Sequence, residues 1–349
     1  MTVKLFVLAM AMLFSMCPGS AAAQVPRVAT DIAPVHSLTA QVMQGLGVPE
    51  LIVQRGASPH HYAMRPSEAR MVQAADLVIS IGAGLTPWLN RRLEVLAGKA
   101  QHLELMAVSG TVSLAFREEA LFTTDSAETI NEAHQEHQEH EAHEEHQEHE
   151  EHQEHEEHEA HDGHEAHQEH QEHVHEGIDP HGWLDPVNGQ IWLDAIASAL
   201  SQLDPANAAR YSANALAGKE QISQARTRIE QHLKSLQGQD FIVFHDAYQY
   251  FEARFEIRSI GAISASDALK PSAARLAQIR AMVLEHGIDC VLTEPQFNSD
   301  LLGSIFENTP IQQGVIDSQG LKLDAGPALY VSLLENIARQ IAGCVGAGA

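Results

Sequence analysis

The chain has 349 residues and a formal net charge of −26, with 21 basic against 47 acidic side chains. This length is enough for two domains. The acidic balance disfavours a nucleic-acid partner, because phosphate binding requires clustered cations. We therefore expect the partners to include metal cations and no nucleic acid.

The first residues have the pattern of a secretory signal. Lys4 precedes an apolar run at residues 5–16, and three alanines at 21–23 offer a small-residue cleavage site. The run is too short to span a bilayer. We expect residues 1–23 to be a cleaved signal peptide and the mature protein to be periplasmic. Cys17 leaves lipoprotein anchoring as an alternative, although the residues just before it fit that processing poorly.

The segment after the signal, residues 24–131, is expected to form a first α/β lobe. Short apolar runs bounded by turn residues predict strands, and longer amphipathic stretches predict helices. The predicted strands are Val28–Thr30, 51–53 and 77–81, and they alternate with predicted helices at 35–46, 67–74 and Pro87–Leu96.

A low-complexity insert follows at residues 132–176. A histidine stands at every third position from His134 to His173, fourteen in all, with His175 just beyond. The segment also holds seventeen Glu, one Asp and no Lys or Arg. It has nothing apolar to bury, so we expect an insert without fixed structure. A solvated acidic linker is one interpretation, but His-rich tracts are typical metal binders, and neutral imidazoles need not lose a proton to bind zinc.

After the insert, residues 177–204 are predicted to complete the first lobe, and 205–237 to form a linking helix of roughly 45 Å. Residues 238–349 repeat the alternation of strand and helix. The predicted fold is therefore α/β, with two lobes of parallel sheet flanked by helices and joined by a long rigid spine helix. In the second lobe, strands are predicted at 241–244, 257–260, 290–292 and 311–316, and helices at 246–254, 272–286, 301–308 and 328–342.

Two cysteines, Cys290 and Cys344, remain once the signal is removed. An oxidising compartment favours a disulfide between them, which would connect a strand to the last helix. Two buried free thiols are the alternative.

Three histidines outside the insert are candidate metal ligands. His60 lies in a loop after the strand at 51–53, and His245 directly follows the strand at 241–244. Ligands of open α/β sheets bind just beyond the carboxyl ends of strands. His181 lies in a turn-rich stretch between the insert and a helix. A single histidine is more often structural, but all three occurring beside a His-rich tract favours a metal site.

Several motifs then occur in order along the mature chain, and together they resemble the ZnuA family, the periplasmic zinc-binding components of bacterial high-affinity zinc importers. The resemblance implies capture of Zn²⁺ for the membrane permease of an ABC transporter, without catalysis, and we expect a monomer. The motifs are Gly56-Ala-Ser-Pro-His60-His-Tyr62, Ala75-Asp-Leu-Val78, His181-Gly-Trp-Leu-Asp-Pro186, Phe244-His-Asp-Ala-Tyr248 and Thr293-Glu-Pro-Gln-Phe297.

The resemblance also implies a ligand set. His60 and His181 from the first lobe and His245 from the second would hold the metal. Three imidazoles suit zinc, whereas manganese favours sites richer in carboxylate. Many zinc-binding relatives carry an acidic residue directly before the first histidine, but here that position is Pro59, which cannot coordinate.

The fourth ligand is therefore open. Asp317 follows a predicted strand where relatives place a carboxylate ligand, and water is the other candidate, with His61 an outsider. Glu294 is interpreted as support for a ligand or as a structural residue.

Two other functions use the same residues. One is a zinc storage or surface metal-binding protein. The other is a three-histidine zinc hydrolase or hydratase, although neither H-E-x-x-H nor a nucleophile elbow occurs in the sequence.

Overall fold

The computed structural model describes residues 24–117, 122, 177–264, 271–296, 305–307, 309 and 311–346. The predicted signal peptide at 1–23 and the His-rich insert at 132–176 lie outside these ranges, as does most of the helix predicted at 301–308.

The first lobe is built on a parallel sheet in the order β2-β1-β3-β4. Each helix of this lobe carries a proline in its first turn, where the fixed φ suits the helix and no backbone donor is lost. The strands are β1 (Val28–Thr30), β2 (Glu50–Leu51), β3 (Leu77–Ser80) and β4 (Gln101–Glu104), and the helices are α1 (Ala33–Val42), α2 (Pro66–Ala74), α3 (Pro87–Leu96) and α4 (Pro186–Leu203).

The long helix α5 (Ala208–Leu233) begins and ends in short 3-10 turns at Pro205–Asn207 and Lys234–Leu236. It packs on α1 and α4 and on the last helix of the chain. Gly218 allows this close approach, because a Cβ there would lie 2.8 Å from Cγ of Gln41 and 2.9 Å from Cδ1 of Leu193.

The second lobe repeats the architecture, with a parallel sheet in the order β6-β5-β7-β8. The predicted fold class of two parallel sheets flanked by helices and joined by a long helix is thus confirmed. The strands are β5 (Asp240–His245), β6 (Arg258–Ser264), β7 (Cys290–Thr293) and β8 (Gln312–Val315), and the helices are α6 (Gln249–Phe255), α7 (Ala273–His286) and α8 (Leu329–Val345).

The largest apolar core is shared by both lobes. It includes Val28 and Leu77 from the first sheet, Ile229 from α5, and Val243 and Ile337 from the second lobe. Helix α8 packs on both α1 and α5. The two lobes are therefore held together by buried apolar surface as well as by the chain that connects them.

The predicted disulfide between Cys290 and Cys344 is confirmed, and it joins β7 to α8 with Cα atoms 5.6 Å apart. Within the described ranges, no helix has both the length and the apolar character needed to cross a membrane.

Two details of the sequence interpretation were wrong. The edge strand β4 was missed because its first two residues, Gln101 and His102, are polar and exposed, which an edge position tolerates. Leu216 falls near helical spacing with Ile222 and Ile229, which predicts that it is buried, but its side chain is 68% exposed. The buried face runs through Ala215 and Gly218 instead.

Candidate metal centre

Three loop or strand-end positions bring the candidate histidines together. His60 lies in the loop between β2 and α2, His181 directly precedes the 3-10 turn Gly182–Leu184, and His245 is the last residue of β5. His181 and His245 are each 3% exposed, and His60 is half-buried. The site therefore lies at the carboxyl ends of strands, with two histidines from the first lobe and one from the second.

One ring nitrogen from each of His60, His181 and His245 lies within 4.8 Å of the others. The ring centroids are 5.5 Å apart for His60 and His181, 6.0 Å for His60 and His245, and 4.9 Å for His181 and His245. Zinc with nitrogen ligands at ~2.0–2.1 Å requires nitrogens about 3.3 Å apart in a tetrahedron. A contraction of at most about 1.5 Å would bring the three nitrogens to that separation.

His181 is held by a buried carboxylate two residues earlier in the chain. Its Nδ1 lies 2.6 Å from Oδ1 of Asp179, and its backbone N–H donates to the same oxygen at 2.9 Å. Asp179 is fully buried. A carboxylate on Nδ1 fixes the proton there and directs Nε2 toward a metal.

His245 lies beside a second buried carboxylate, because its Nδ1 is 3.5 Å from Oε1 of Glu294. The hydroxyl of Tyr248 donates to that same Oε1 at 2.5 Å, and the side-chain amide of Gln296 donates to Oε2. Burial and the neighbouring Glu294 raise the pKa of Tyr248 well above its usual range, so this hydroxyl keeps its proton. Glu294 stands directly after β7, and its carboxylate contacts both His245 and Tyr248.

The loop that carries His60 is anchored at two points. The indole N–H of Trp88 donates to the carbonyl of Pro59 at 2.7 Å. Nη2 of Arg55 donates to the carbonyls of Gly320 at 2.5 Å and Leu321 at 2.7 Å. Since Gly320 and Leu321 belong to the second lobe, the His60 loop is docked across the interface between the lobes.

The other candidate ligands lie outside the three-histidine group. Asp317 is buried just beyond β8, and its Oδ1 accepts the backbone N–H groups of Gln319 at 3.0 Å and Gly320 at 2.8 Å. His61 is exposed. Neither side chain belongs to the group whose ligand atoms lie within 4.8 Å of one another.

Sequence reasoning missed Asp179, although it stands only two residues before His181. A carboxylate two residues before a candidate ligand is a usable signal, because a short turn can bring the two side chains together. Sequence reasoning also missed Gln249 and Tyr250, which form hydrogen bonds with Asp179. No local motif marks these two residues, because Asp179 is far from them in the chain.

Two parallel α/β lobes with three histidines gathered at their interface define a two-lobed metal-binding protein. A family model described as "Zinc-uptake complex component A periplasmic" matches residues 28–344. Two relatives named "High-affinity zinc uptake system protein ZnuA" are similar over nearly their whole length. That of Paracoccus denitrificans is 44% identical over 328 residues, covering 94% of both chains, and that of Brucella abortus is 40% identical over 338 residues, covering 97% of both.

Solved structures show the same fold at low sequence identity. The binding protein FpvC of Pseudomonas aeruginosa, in complex with Mn²⁺, has a TM-score of 0.69 at 14% identity, over 93% of this chain and all of that one. A crystal structure of ZnuA has a TM-score of 0.67 at 19% identity, over 92% and 99%. From the family match and its relatives, the chain belongs to the ZnuA family of periplasmic zinc-uptake components.

Proposed function

We propose that this protein captures Zn²⁺ in the periplasm and delivers it to the membrane permease of an ABC importer. The observation that carries the proposal is the group of three histidines, contributed by both lobes, with ring nitrogens within 4.8 Å of one another. Membership of a family of zinc-uptake components supports it. Zinc is the cargo, so it is bound and released unchanged.

In this proposal His60, His181 and His245 are direct ligands. Asp179 holds the proton on Nδ1 of His181, so that Nε2 faces the ion. An all-imidazole set favours zinc over manganese, which prefers carboxylate oxygens. Because two ligands come from one lobe and one from the other, binding the ion adds a connection between the lobes, and separating them opens the site.

The fourth position is assigned to Asp317 or to water. Since Oδ1 of Asp317 already accepts two backbone N–H groups, coordination would fall to its Oδ2. Asp317 remains our candidate because it lies at the carboxyl end of β8, the strand next to β7 in the same sheet.

We infer transport rather than zinc-dependent hydrolysis. A hydrolase of this kind would need a carboxylate or imidazole that takes a proton from the metal-bound water. Glu294 is the buried carboxylate beside His245, and both of its oxygens already accept hydrogen bonds, from Tyr248 and Gln296. These hydrogen bonds support a role for Glu294 in holding His245 in place rather than in taking a proton.

The His-rich segment at 132–176 is proposed to gather or buffer zinc for the interlobe site. The support is its composition, with an imidazole at every third residue. We expect it to bind several ions weakly and to be dispensable for the single tight site.

Calorimetric zinc titration of the mature protein tests the proposal. The variants are the triple substitution His60→Ala/His181→Ala/His245→Ala, a deletion of 132–176, and Asp317→Ala for the fourth ligand. His102→Ala is the matched control, because His102 lies on β4 outside the group and contacts Ser80 at 2.9 Å.

We expect one tight site in the wild type, in the deletion and in the His102 variant, and its loss in the triple variant. Tight binding that instead disappears with the deletion would contradict the proposal and favour a storage protein. A clear loss of affinity in Asp317→Ala assigns the fourth position to Asp317, and an unchanged affinity assigns it to water.

A further inference from the structure

The two chain segments that flank residues 118–176 are joined to each other next to the metal centre. Ala115 and Ile178 form an antiparallel bridge, with Phe116 N–H donating to the carbonyl of Gly177 at 3.2 Å and Asp179 N–H to that of Leu114 at 2.9 Å. We call residues 114–116 and 177–179 the neck ribbon. Its last residue, Asp179, is the carboxylate that holds His181.

Helix α6 of the second lobe holds both strands of this ribbon through two adjacent side chains. The amide nitrogen of Gln249 donates to the carbonyl of Ala115 at 3.0 Å and to Oδ2 of Asp179 at 2.5 Å. The hydroxyl of Tyr250 donates to the carbonyl of Asp179 at 2.7 Å and accepts the N–H of Leu114 at 3.0 Å. Each side chain therefore contacts one residue from each strand.

The contacts on Asp179 divide its carboxylate between two elements. Oδ1 faces His181, and Oδ2 faces Gln249. His245 ends the strand that leads directly into α6. The same short stretch of the second lobe thus carries His245 and contacts Asp179, the carboxylate beside His181.

Three ion pairs between the lobes lie beside these hydrogen bonds. The guanidinium of Arg117, directly after the ribbon, binds Asp246 and Glu252. Although burial disfavours its charge, Glu252 and Asp246 raise the pKa of Arg117 above its ordinary value. Arg254 of α6 binds Asp185, which caps the first turn of α4 by accepting the N–H of Val187. These pairs fix the position of α6 relative to the ribbon.

We propose that Gln249 and Tyr250 are positioning residues for zinc binding, acting through Asp179 on His181. While α6 is seated on the neck ribbon, Asp179 is fixed and Nε2 of His181 is directed at the ion. When α6 moves away from the ribbon, Asp179 loses the bonds to Gln249 and Tyr250, and His181 is released from its orientation. This inference rests on the proposed zinc site and adds the residues that couple it to lobe separation.

The test measures zinc dissociation from the full mature chain by chelator chase in Gln249→Ala and Tyr250→Phe. Matched controls use the same residue types away from the site. Gln190→Ala removes an amide that bridges Lys219 and Ser223, and Tyr211→Phe removes a buried hydroxyl that binds Asp204 at 3.0 Å. The visible absorption of the Co²⁺-loaded protein reports the ligand geometry in each variant.

Zinc should leave the interlobe site in a slow phase of dissociation. We expect this phase to become about tenfold faster in Gln249→Ala and Tyr250→Phe, as it does when other residues that hydrogen-bond to metal ligands are replaced. The Co²⁺ bands should change in both, while both controls keep the wild-type rate and spectrum. In an Asp179→Ala background, Gln249→Ala should add nothing, because the two residues act in series. The metal-free melting temperature of each variant verifies that it is folded, and Tyr250→Phe is the gentlest change.

Wild-type rates and spectra in both variants would overturn the inference, as would additive effects of Gln249→Ala and Asp179→Ala. Equal changes in the controls would reduce the effect to general stability and overturn it too. The zinc site itself is judged separately by His245→Ala. If His245→Ala abolishes tight zinc binding while the Gln249 and Tyr250 variants bind and release zinc as the wild type does, the proposed function stands and only the positioning role is removed.

Discussion

Nδ1 of His181 and Oδ1 of Asp179 lie 2.6 Å apart, and both side chains are buried at the interface of the lobes. The carboxylate also accepts the backbone N–H of His181, so one oxygen fixes both the ring and the main chain of the same residue. The ring therefore has little freedom to turn, and Nε2 is the nitrogen left to face a metal.

Replacing Asp179 with Asn should weaken zinc binding by about 10- to 100-fold, because the neutral amide no longer fixes the orientation and tautomer of His181. Competition with a chelator of known affinity measures the dissociation constant. Asp204→Asn is the matched control, since Asp204 is also buried and accepts bonds from Asn207 and Tyr211 away from the site. Equal affinity in Asp179→Asn and the wild type would show that the carboxylate has no part in binding.

Much of the fold could be predicted because strands of parallel sheets are buried on both faces and form short apolar runs. Such runs at β1, β3, β5 and β7 were recognised, and the carboxyl ends of strands directed attention to His60 and His245. The edge strand β4 has no such run and was missed. Sequence periodicity also misassigned Leu216, because the face that a helix buries is decided by what packs against it.

The residues that hold the metal ligands in place were harder to predict than the ligands themselves, for a physical reason. Gln249 and Asp179 are separated by 70 residues in the chain, and Arg117 and Asp246 by 129. Polar pairs of this kind depend on the docking of one lobe against the other. The ligand types follow from local motifs, but their partners require the tertiary structure.

The ionisation of Asp31 should make the free energy of unfolding of the metal-free protein fall as the pH rises. Burial raises its pKa from the ordinary 3.8 to about 7, although the N–H groups of Ile81 and Ile32, each at 2.7 Å, act in the opposite direction. Between these values the folded protein holds a proton that the unfolded chain has lost. Raising the pH therefore favours unfolding until Asp31 is ionised in both states, above the folded-state pKa of about 7, beyond which the effect is constant.

Comparison with Asp31→Asn isolates this effect, since asparagine does not titrate. The free energy of unfolding of the wild type minus that of the variant should fall by about 1.4 kcal/mol per pH unit between about pH 5 and 6, and less steeply as the pH approaches 7. Urea unfolding at several pH values, with a chelator present, gives both quantities. A difference that stays constant across this range would mean that Asp31 ionises normally in the folded state.

The Cys290–Cys344 disulfide should contribute stability without affecting the zinc site directly. Its cysteines are 54 residues apart in the chain, and closing a loop of this length in the unfolded state corresponds to about 4 kcal/mol. The double variant Cys290→Ser/Cys344→Ser should therefore unfold at lower urea concentration while binding zinc with wild-type affinity. Reduction of the wild type should reproduce the loss, whereas the double variant should not respond to the reductant.

Gly218 and Gly343, both in helices, should respond in opposite directions to alanine. At Gly218 the new Cβ would lie 2.8 Å from Cγ of Gln41, whose amide is held by the carbonyl of Asn214, and 2.9 Å from Leu193. Overpacking of this kind costs about 1–3 kcal/mol, more than the roughly 1 kcal/mol that alanine gains over glycine in a helix.

At Gly343 in α8 a Cβ meets nothing within 4 Å, so the helix preference acts alone. Gly343→Ala should therefore stabilise the protein by about 0.5–1 kcal/mol, and Gly218→Ala should destabilise it. Urea unfolding of the two variants beside the wild type measures both changes. If Gly218→Ala were as stable as Gly343→Ala, α5 would have room to shift away from α1 and α4, and the close contact of these helices would not require glycine.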